Sequence, residues 1–382
     1  MAKILYLVTE DWFFCQHFLP MARAARRAGY EVLVATRLRA HRVPIEAEGF
    51  RTIALESERG SLAPLEALRT LGRATRIVAA EHPDIVHCIA LRMVVLGGIA
   101  AKLAGAKRLV LALTGLGHLW IENGLMERAA RALARQVVGQ ALKGSRTHYL
   151  FENPDDPGEF GLDVGDPNVS IVGGAGVRPG DFPMTPEPPA PPVKIAIVAR
   201  MLEPKGIAEA VAAVREARAV GADVEIDLFG APDPSNRRSL SEAQLRAWSA
   251  DPWIRWQGPS ADIPGVWRDH HVAMLLSYRE GLPRSLVEAA AAGRPIITTD
   301  VPGCREVVRH GVEGLLVPRG DVTAAANAVA RLAQDARLRA RMGAAANFRA
   351  RERFSEDVVM RSLATLYATM LADDPSDSLP KV

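Results

Sequence analysis

The stretch Tyr278–Val308, YREGLPRSLVEAAAAGRPIITTDVPGCREVV, decides the fold class, because it reads as the core of a strand–helix–strand unit. The run before it, HVAMLLS, is apolar enough for a buried strand, Pro283 fits the first position of a helix, and Gly293 stands where a helix C-cap belongs. Ile296–Thr299 then resumes as a strand, and two apolar strands joined by a helix make a parallel crossover. The same stretch carries two carboxylates eight residues apart, Glu280 in the loop and Glu288 inside the helix. Backbone N–H groups of Arg284, Ser285 and Leu286 would face outward unpaired at the positive end of the helix, beside the loop residues Gly281 and Leu282, which makes an anion site. A diphosphate fits such a site, and ionised carboxylates beside it are strong acceptors for sugar hydroxyls. The plainer reading of both glutamates is solvated charge at a helix end.

A second cluster weighs against the plainer reading. KIAIVARMLEPKG, Lys194–Gly206, is a strand followed by two cations, Arg200 and Lys205, in the loop at its carboxyl end. Open α/β sheets bind ligands there, and a guanidinium and an ammonium suit phosphate oxygens, although such a pair alone is more often surface charge. Trp256 and Gln257 end a further strand.

Six prolines between Pro183 and Val193 exclude helix and inner strand and mark a stiff connector. Before it, strands at Ile4–Val8, Glu31–Ala35, Ile85–His87 and Arg108–Leu113 alternate with Ala- and Arg-rich helices. After it, strands at Ile195–Val198, Val224–Phe229, Ala273–Leu276 and Ile296–Thr299 do the same. The expected architecture is α/β, two doubly wound parallel sheets in a chain of 382 residues, with their carboxyl ends facing a central cleft. Phe354–Leu371 reads as an amphipathic final helix with Ser355 as N-cap, and the segment 372–382 as a disordered tail.

Composition, 48% hydrophobic and 24% charged, is that of a soluble globular protein. Cys15, Cys88 and Cys304 show no CxxC spacing, which argues for core packing in a reducing compartment rather than a disulfide frame or a zinc site. The first strand is interrupted by Glu10 and Asp11 too soon for a signal peptide, and no apolar run approaches the roughly 20 residues of a membrane span. Residues 1–150 hold 21 Lys and Arg against 12 Asp and Glu, a net of +9, so the remainder carries −6 of the total +3. Three basic helices hold much of this excess: Arg23, Arg26 and Arg27; Arg69, Arg73 and Arg76; and Arg128, Arg131, Arg135 and Lys143. They suit either solvated faces or anionic lipid headgroups; nucleic acid is disfavoured because no stacking aromatics are interleaved.

PDIVHCIALRMVVLGGIAAKLAG (83–105), TGLGHLW (114–120), FENPDD (151–156), VARMLEPKG (198–206) and SYREGLPRSLVEAAAAGRPIITTDVPGCREVV (277–308) resemble retaining glycosyltransferases of family 4. The resemblance runs through nearly the whole chain, to the branch that builds polysaccharide and lipid-linked oligosaccharide. It implies a GT-B fold with two Rossmann-like domains: an acceptor domain over 1–183, a linker over 184–192, a donor domain over 193–354, and a helix over 355–371 that returns to brace the first domain. It further implies that Glu280 contacts the transferred sugar, that Glu288 holds the ribose, that Arg200 and Lys205 bind the donor diphosphate, and that Trp256 and Gln257 lie where the fold holds the base, mostly through backbone groups. Transfer would proceed with retention, without cofactor or required metal; Asp233, flanked by prolines, reads as a turn rather than part of a DxD metal motif. The implied partners are a nucleotide sugar, UDP before GDP, and a lipid-linked or oligosaccharide acceptor, with the protein cytoplasmic and peripheral on the inner membrane.

Acceptor candidates are His17 and Arg92 near strand ends, Thr114 where many family members carry histidine, and His118 after the TGLG turn. Trp12, Phe13 and Phe14 offer either an apolar mouth or core, with core favoured for at least two. Rival readings are a sugar-nucleotide sensor or assembly scaffold, a GT-B epimerase and a phosphorylase. A Rossmann dehydrogenase lacks its GxGxxG after the first strand.

Overall fold

The computed structural model describes residues 1–57, 63–122 and 124–372, so the tail expected to be disordered lies, from 373 onward, outside the described residues. The chain divides into two compact units, Met1–Ala175 with Glu356 onward, and Gly176–Ser355.

Unit 1 is built on seven parallel strands: Lys3–Glu10 (β1), Glu31–Arg37 (β2), Arg51–Ala54 (β3), Ile85–Ile89 (β4), Leu109–Leu113 (β5), Thr147–Phe151 (β6) and Val169–Ile171 (β7), in the order β3-β2-β1-β4-β5-β6-β7. Both faces are covered, as an all-parallel sheet requires. In β1, Leu5 and Leu7 enter one core and Ile4, Tyr6 and Val8 the other, the period of two set by the pleat. The final helix, Glu356–Ala372, lies on the second of these cores through Val359, Leu363, Leu366, Tyr367 and Met370. Ser355 directly precedes it, and its backbone forms a bridge with Val177.

Within that core Tyr367 Oη lies 3.0 Å from Tyr6 Oη and 2.8 Å from His87 Nδ1, all three fully buried. Burial holds the His87 imidazole well below its ordinary 6.5, at about 3. The unfolded chain therefore takes up a proton that the fold refuses. Stability from the neutral ring is complete above the unfolded value and drains away as pH falls toward the folded one. His87→Gln carries no such proton and is expected to lose less melting temperature than the parent between about pH 7.5 and about pH 4. Circular-dichroism melts of both proteins check this, and parallel curves would contradict it.

Unit 2 has six parallel strands: Val193–Val198 (β8), Val224–Phe229 (β9), Ile254–Gly258 (β10), Val272–Leu275 (β11), Ile296–Thr299 (β12) and Gly314–Val317 (β13), in the order β10-β9-β8-β11-β12-β13. Strand order reverses between β8 and β11, as it does between β1 and β4 in unit 1. These are the switch points at which open sheets form crevices.

The two units divide at Ala175/Gly176, ahead of the linker expected over 184–192, and the proline run is part of unit 2. Arg294, 1% exposed, donates to Thr185 Oγ1 at 2.5 Å. Arg339, 3% exposed, pairs with Glu187 at 3.0 Å, and His271 Nε2 meets Pro188 O at 3.0 Å. Prolines supply no donor of their own, so buried arginines and a histidine bind the run by its carbonyls and its few polar side chains.

Candidate active site

The loops after β8 and β11 meet at the switch point of unit 2. After β8 the chain makes a tight turn, Glu203–Lys205, that ends at Gly206 with φ +69°. A Cβ at Gly206 would stand 2.1 Å from Leu276 O, so only glycine lets this turn lie against the end of β11. Tyr278 N–H donates to Pro204 O at 2.9 Å and stitches the loops together. Lys205 Nζ is thereby placed 2.5 Å from Glu280 Oε1, and Ser277 Oγ donates to the same oxygen at 2.5 Å.

Ser277 is itself fixed, because Thr299 Oγ1 donates to its carbonyl from β12. On the other side Glu280 N–H donates to Pro302 O at 3.3 Å, while Gly303, at φ +78°, packs so closely that a Cβ would lie 2.4 Å from Gly281 O. Glu280 thus presents a carboxylate with Oε1 taken by two donors, and Oε2 is the oxygen left to accept from a ligand. Cys304 lies beneath it; burial first and the Glu280 charge second push its thiol up to about 12, which makes it inert packing.

The helix that follows spans Arg284–Ala291, with Pro283 one place outside it at the N-cap and Gly293 left-handed at φ +76° past its end. Leu286 N–H donates to Pro283 O at 3.0 Å, so it is occupied rather than turned outward, and its side chain is core. Glu288, 8% exposed, accepts from Arg284 Nε at 2.8 Å across one helical turn. Burial pushes its carboxyl above the ordinary range, and Arg284 offsets part of that shift. Gly281, Leu282 and Ser285 lie half-buried between the two glutamates.

Other sequence candidates are engaged elsewhere. Arg200 donates to Asp233 Oδ2 at 2.9 Å, so the residue read as a turn former makes the turn, bonding Ser235, and also steers this guanidinium. Trp256 Nε1 donates to Gly230 O at 2.9 Å. Gln257 Nε2 reaches Asp227 Oδ1 at 3.0 Å, within a network that includes Arg255 and His270. Burial alone would raise the Asp227 carboxyl, yet bonds from His270, Arg255 and Gln257 prevail and hold it well below its ordinary range.

In unit 1, His17 ends the helix Asp11–His17 after β1, its ring 4.6 Å from that of Phe13. Arg92 follows β4 and donates from Nε to Ser57 Oγ at 3.1 Å. Both therefore flank the β1/β4 switch point. Of the aromatics after β1, Phe14 is wholly buried and Trp12 and Phe13 half-buried. Thr114 is half-buried past β5; His118 lies in the turn Gly117–Trp120, its side chain outside what is described. Sequence reasoning gave no role to Ser277 or Gly303. A hydroxyl three residues before a loop carboxylate, at a strand end, was the available signal for the first.

Two family models match the chain: "Glycosyl transferase 4-like" over residues 3–147 and "Glycosyl transferases group 1" over 192–335. Among curated proteins it is 22% identical over 367 residues to the N,N'-diacetylbacillosaminyl-diphospho-undecaprenol alpha-1,3-N-acetylgalactosaminyltransferase of Campylobacter jejuni, covering 92% of this chain and 94% of that one. It is 27% identical to the capsular polysaccharide biosynthesis glycosyltransferase CapM of Staphylococcus aureus over 179 residues, and 32% to the putative colanic acid biosynthesis glycosyltransferase WcaL of Salmonella typhimurium over 194. These two matches span about half of each relative, 47% and 46%, and 47% and 48% of this chain. Among solved structures, Anabaena Alr3699/HepE in complex with UDP and glucose superposes with TM-score 0.74 at 18% identity, over 98% of this chain and 100% of that one. Sucrose-phosphate synthase from Thermosynechococcus elongatus gives 0.77 at 18%, with the same coverage. At such identities the likeness establishes the fold, which is GT-B.

Proposed function

We take as premise that this chain is a glycosyltransferase of the GT-B, family-4-like type, both its halves matching models of that kind, and propose that it transfers a hexose or N-acetylhexosamine with retention of configuration. The donor is a nucleotide sugar, UDP-linked by first preference and GDP-linked by second. The acceptor is a growing glycan on a polyprenyl diphosphate, made in polysaccharide or O-antigen-type synthesis by a protein peripheral to the cytoplasmic face of the inner membrane. The observation that carries the proposal is the Lys205–Glu280 pair at the β8/β11 switch point, where the fold gathers loops for a ligand.

In this reading Lys205 and Arg200 neutralise the departing diphosphate, and the start of helix Arg284–Ala291 adds its dipole. Glu280 orients the sugar by accepting a hydroxyl at Oε2, and Glu288 holds the ribose. The acceptor oxygen attacks on the face from which the nucleotide departs, so no covalent enzyme intermediate forms and no metal is needed. The relatives' names support the substrate classes: the Campylobacter jejuni protein is named as an N-acetylgalactosaminyltransferase of a diphospho-undecaprenol-linked sugar, and HepE is complexed with UDP.

Calorimetric titration with UDP, GDP and ADP in EDTA tests this. Selective binding of UDP, weakened by Arg200→Ala, is expected. Failure to bind any of the three would overturn the donor site.

A further inference from the structure

Of the three basic helices read from the sequence, the structure singles out one. In helix Leu19–Arg27 the apolar residues Met21, Ala22, Ala24 and Ala25 are buried, and Arg23 is taken by Glu48 at 2.5 Å. Helix Pro64–Glu81 exposes Leu65 and Leu68 at its start but packs along its length through Thr70, Ala74 and Val78, and its Arg73 donates to Glu56 O and Arg76 to Gly72 O. Helix Leu125–Gln136 is different: of its twelve residues only Ala134 is buried, although its pattern is strongly two-sided.

Leu125 is 82% exposed, Met126 72% and Leu133 62%. At about 100° per residue these three and Ala129 share one arc, on the side turned away from Ala134. Arg128 and Arg135 lie along one edge of that arc with Arg131 beyond them; Arg135 is paired with Glu159, while Arg128 and Arg131 have no ion partner among the described residues. One glutamate, Glu127, stands against the three arginines. A soluble helix that packs on its own domain turns its leucines inward; this one turns them out and edges them with cations.

We propose that helix Leu125–Gln136 is an interfacial helix, which lays Leu125, Met126 and Leu133 among the headgroups of an anionic bilayer while Arg128 and Arg131 pair with lipid phosphates. Charge decides the occupant: an apolar arc edged by unpaired arginines, in a unit whose first 150 residues carry a net of +9, complements a surface that is itself apolar below and anionic above. The helix follows β5 and so begins at the carboxyl edge of the unit 1 sheet, where a lipid-linked acceptor would be presented; only this last point rests on the reading under Proposed function.

Flotation of the full chain with vesicles of phosphatidylcholine and phosphatidylglycerol in equal parts, and with phosphatidylcholine alone, tests the assignment. The parent is expected to float with the anionic vesicles, less so in high salt, and to stay behind with the neutral ones. Leu125→Glu with Leu133→Glu, and separately Arg128→Glu with Arg131→Glu, are each expected to lower the partition about tenfold or more. Their nucleotide binding and melting temperature should match the parent, since none of these residues belongs to the donor site. A parent that ignores anionic vesicles, or variants that float as it does, would overturn the proposal. So would a concentration-dependent dimer abolished by the leucine pair, which would assign the face to a second copy. If flotation succeeds and nucleotide titration fails, the surface stands and the glycosyl-transfer reading falls.

Discussion

Lys205→Ala is expected to lower kcat about 100- to 1000-fold, the loss seen when one preorganised group is removed from a developing charge. In the proposed reaction two effects act together. The leaving diphosphate loses a cation, and Glu280 loses the partner at 2.5 Å that fixes Oε1, so its carboxylate is held by Ser277 alone. The expected signature is a fall in kcat that exceeds the rise in KM, because the interaction strengthens as the nucleotide departs. Lys205→Arg should recover only part of the rate: it keeps the charge but brings a broad planar fork to a turn closed by Gly206 against Leu276. Steady-state kinetics with a lipid-linked acceptor decide the matter. A kcat within about threefold of the parent would remove Lys205 from the chemistry.

Glu288→Ala is expected to weaken nucleotide binding about 10- to 100-fold, the range for a lost hydrogen bond to a charged group. The same substitution should leave the fold intact. Burial raises the Glu288 carboxyl above its ordinary range, so in the empty protein this charge is a burden that Arg284 only partly relieves. Arg284, with 42% of its side chain exposed, remains solvated when its partner is gone. A carboxylate kept where it costs stability is what a binding site needs and a scaffold does not. Calorimetry beside a melting curve separates the two cases: weaker binding with an unchanged or higher melting temperature is expected, whereas unchanged binding would take Glu288 out of the site.

The fold was legible where β-branched and aromatic residues gather between turn residues. VEIDLF, Val224–Phe229, and IITT, Ile296–Thr299, are bounded in the structure as the sequence suggests. β3, β6, β7 and β13 were not among the strands read from the sequence. THYLF, though wholly buried, opens on two polar residues. RTIA is short with exposed ends, VSI has three residues, and GLLV opens on a glycine whose missing Cβ accommodates Ile296 O. Pairing to a neighbour, not propensity, makes these segments strands.

In the site, the loop–helix junction and its two glutamates could be read because proline and glycine punctuate them. The direct Lys205–Glu280 contact could not, since the two lie 75 positions apart and only the switch-point topology joins them. Arg200 shows the converse. Its place after β8 was plain, yet Asp233, which orients it, is brought there by a separate loop. The proline run was read for its stiffness alone, because composition does not tell that buried Arg294 and Arg339 hold it.

Unit 1 is discontinuous in the chain, and this sets the order in which a nascent polypeptide can mature. Its second core, with Tyr6, Phe14 and Phe18, remains uncovered until the ribosome has delivered Val359, Leu363 and Tyr367, more than 300 positions after β1. Unit 2 is a single uninterrupted segment and has all it needs once Ser355 has emerged. The usual rule that amino-terminal domains finish first is therefore inverted. The half made first waits longest, and a transcript cut short before codon 356 yields a complete unit 2 attached to an amino-terminal half with an open, aggregation-prone face.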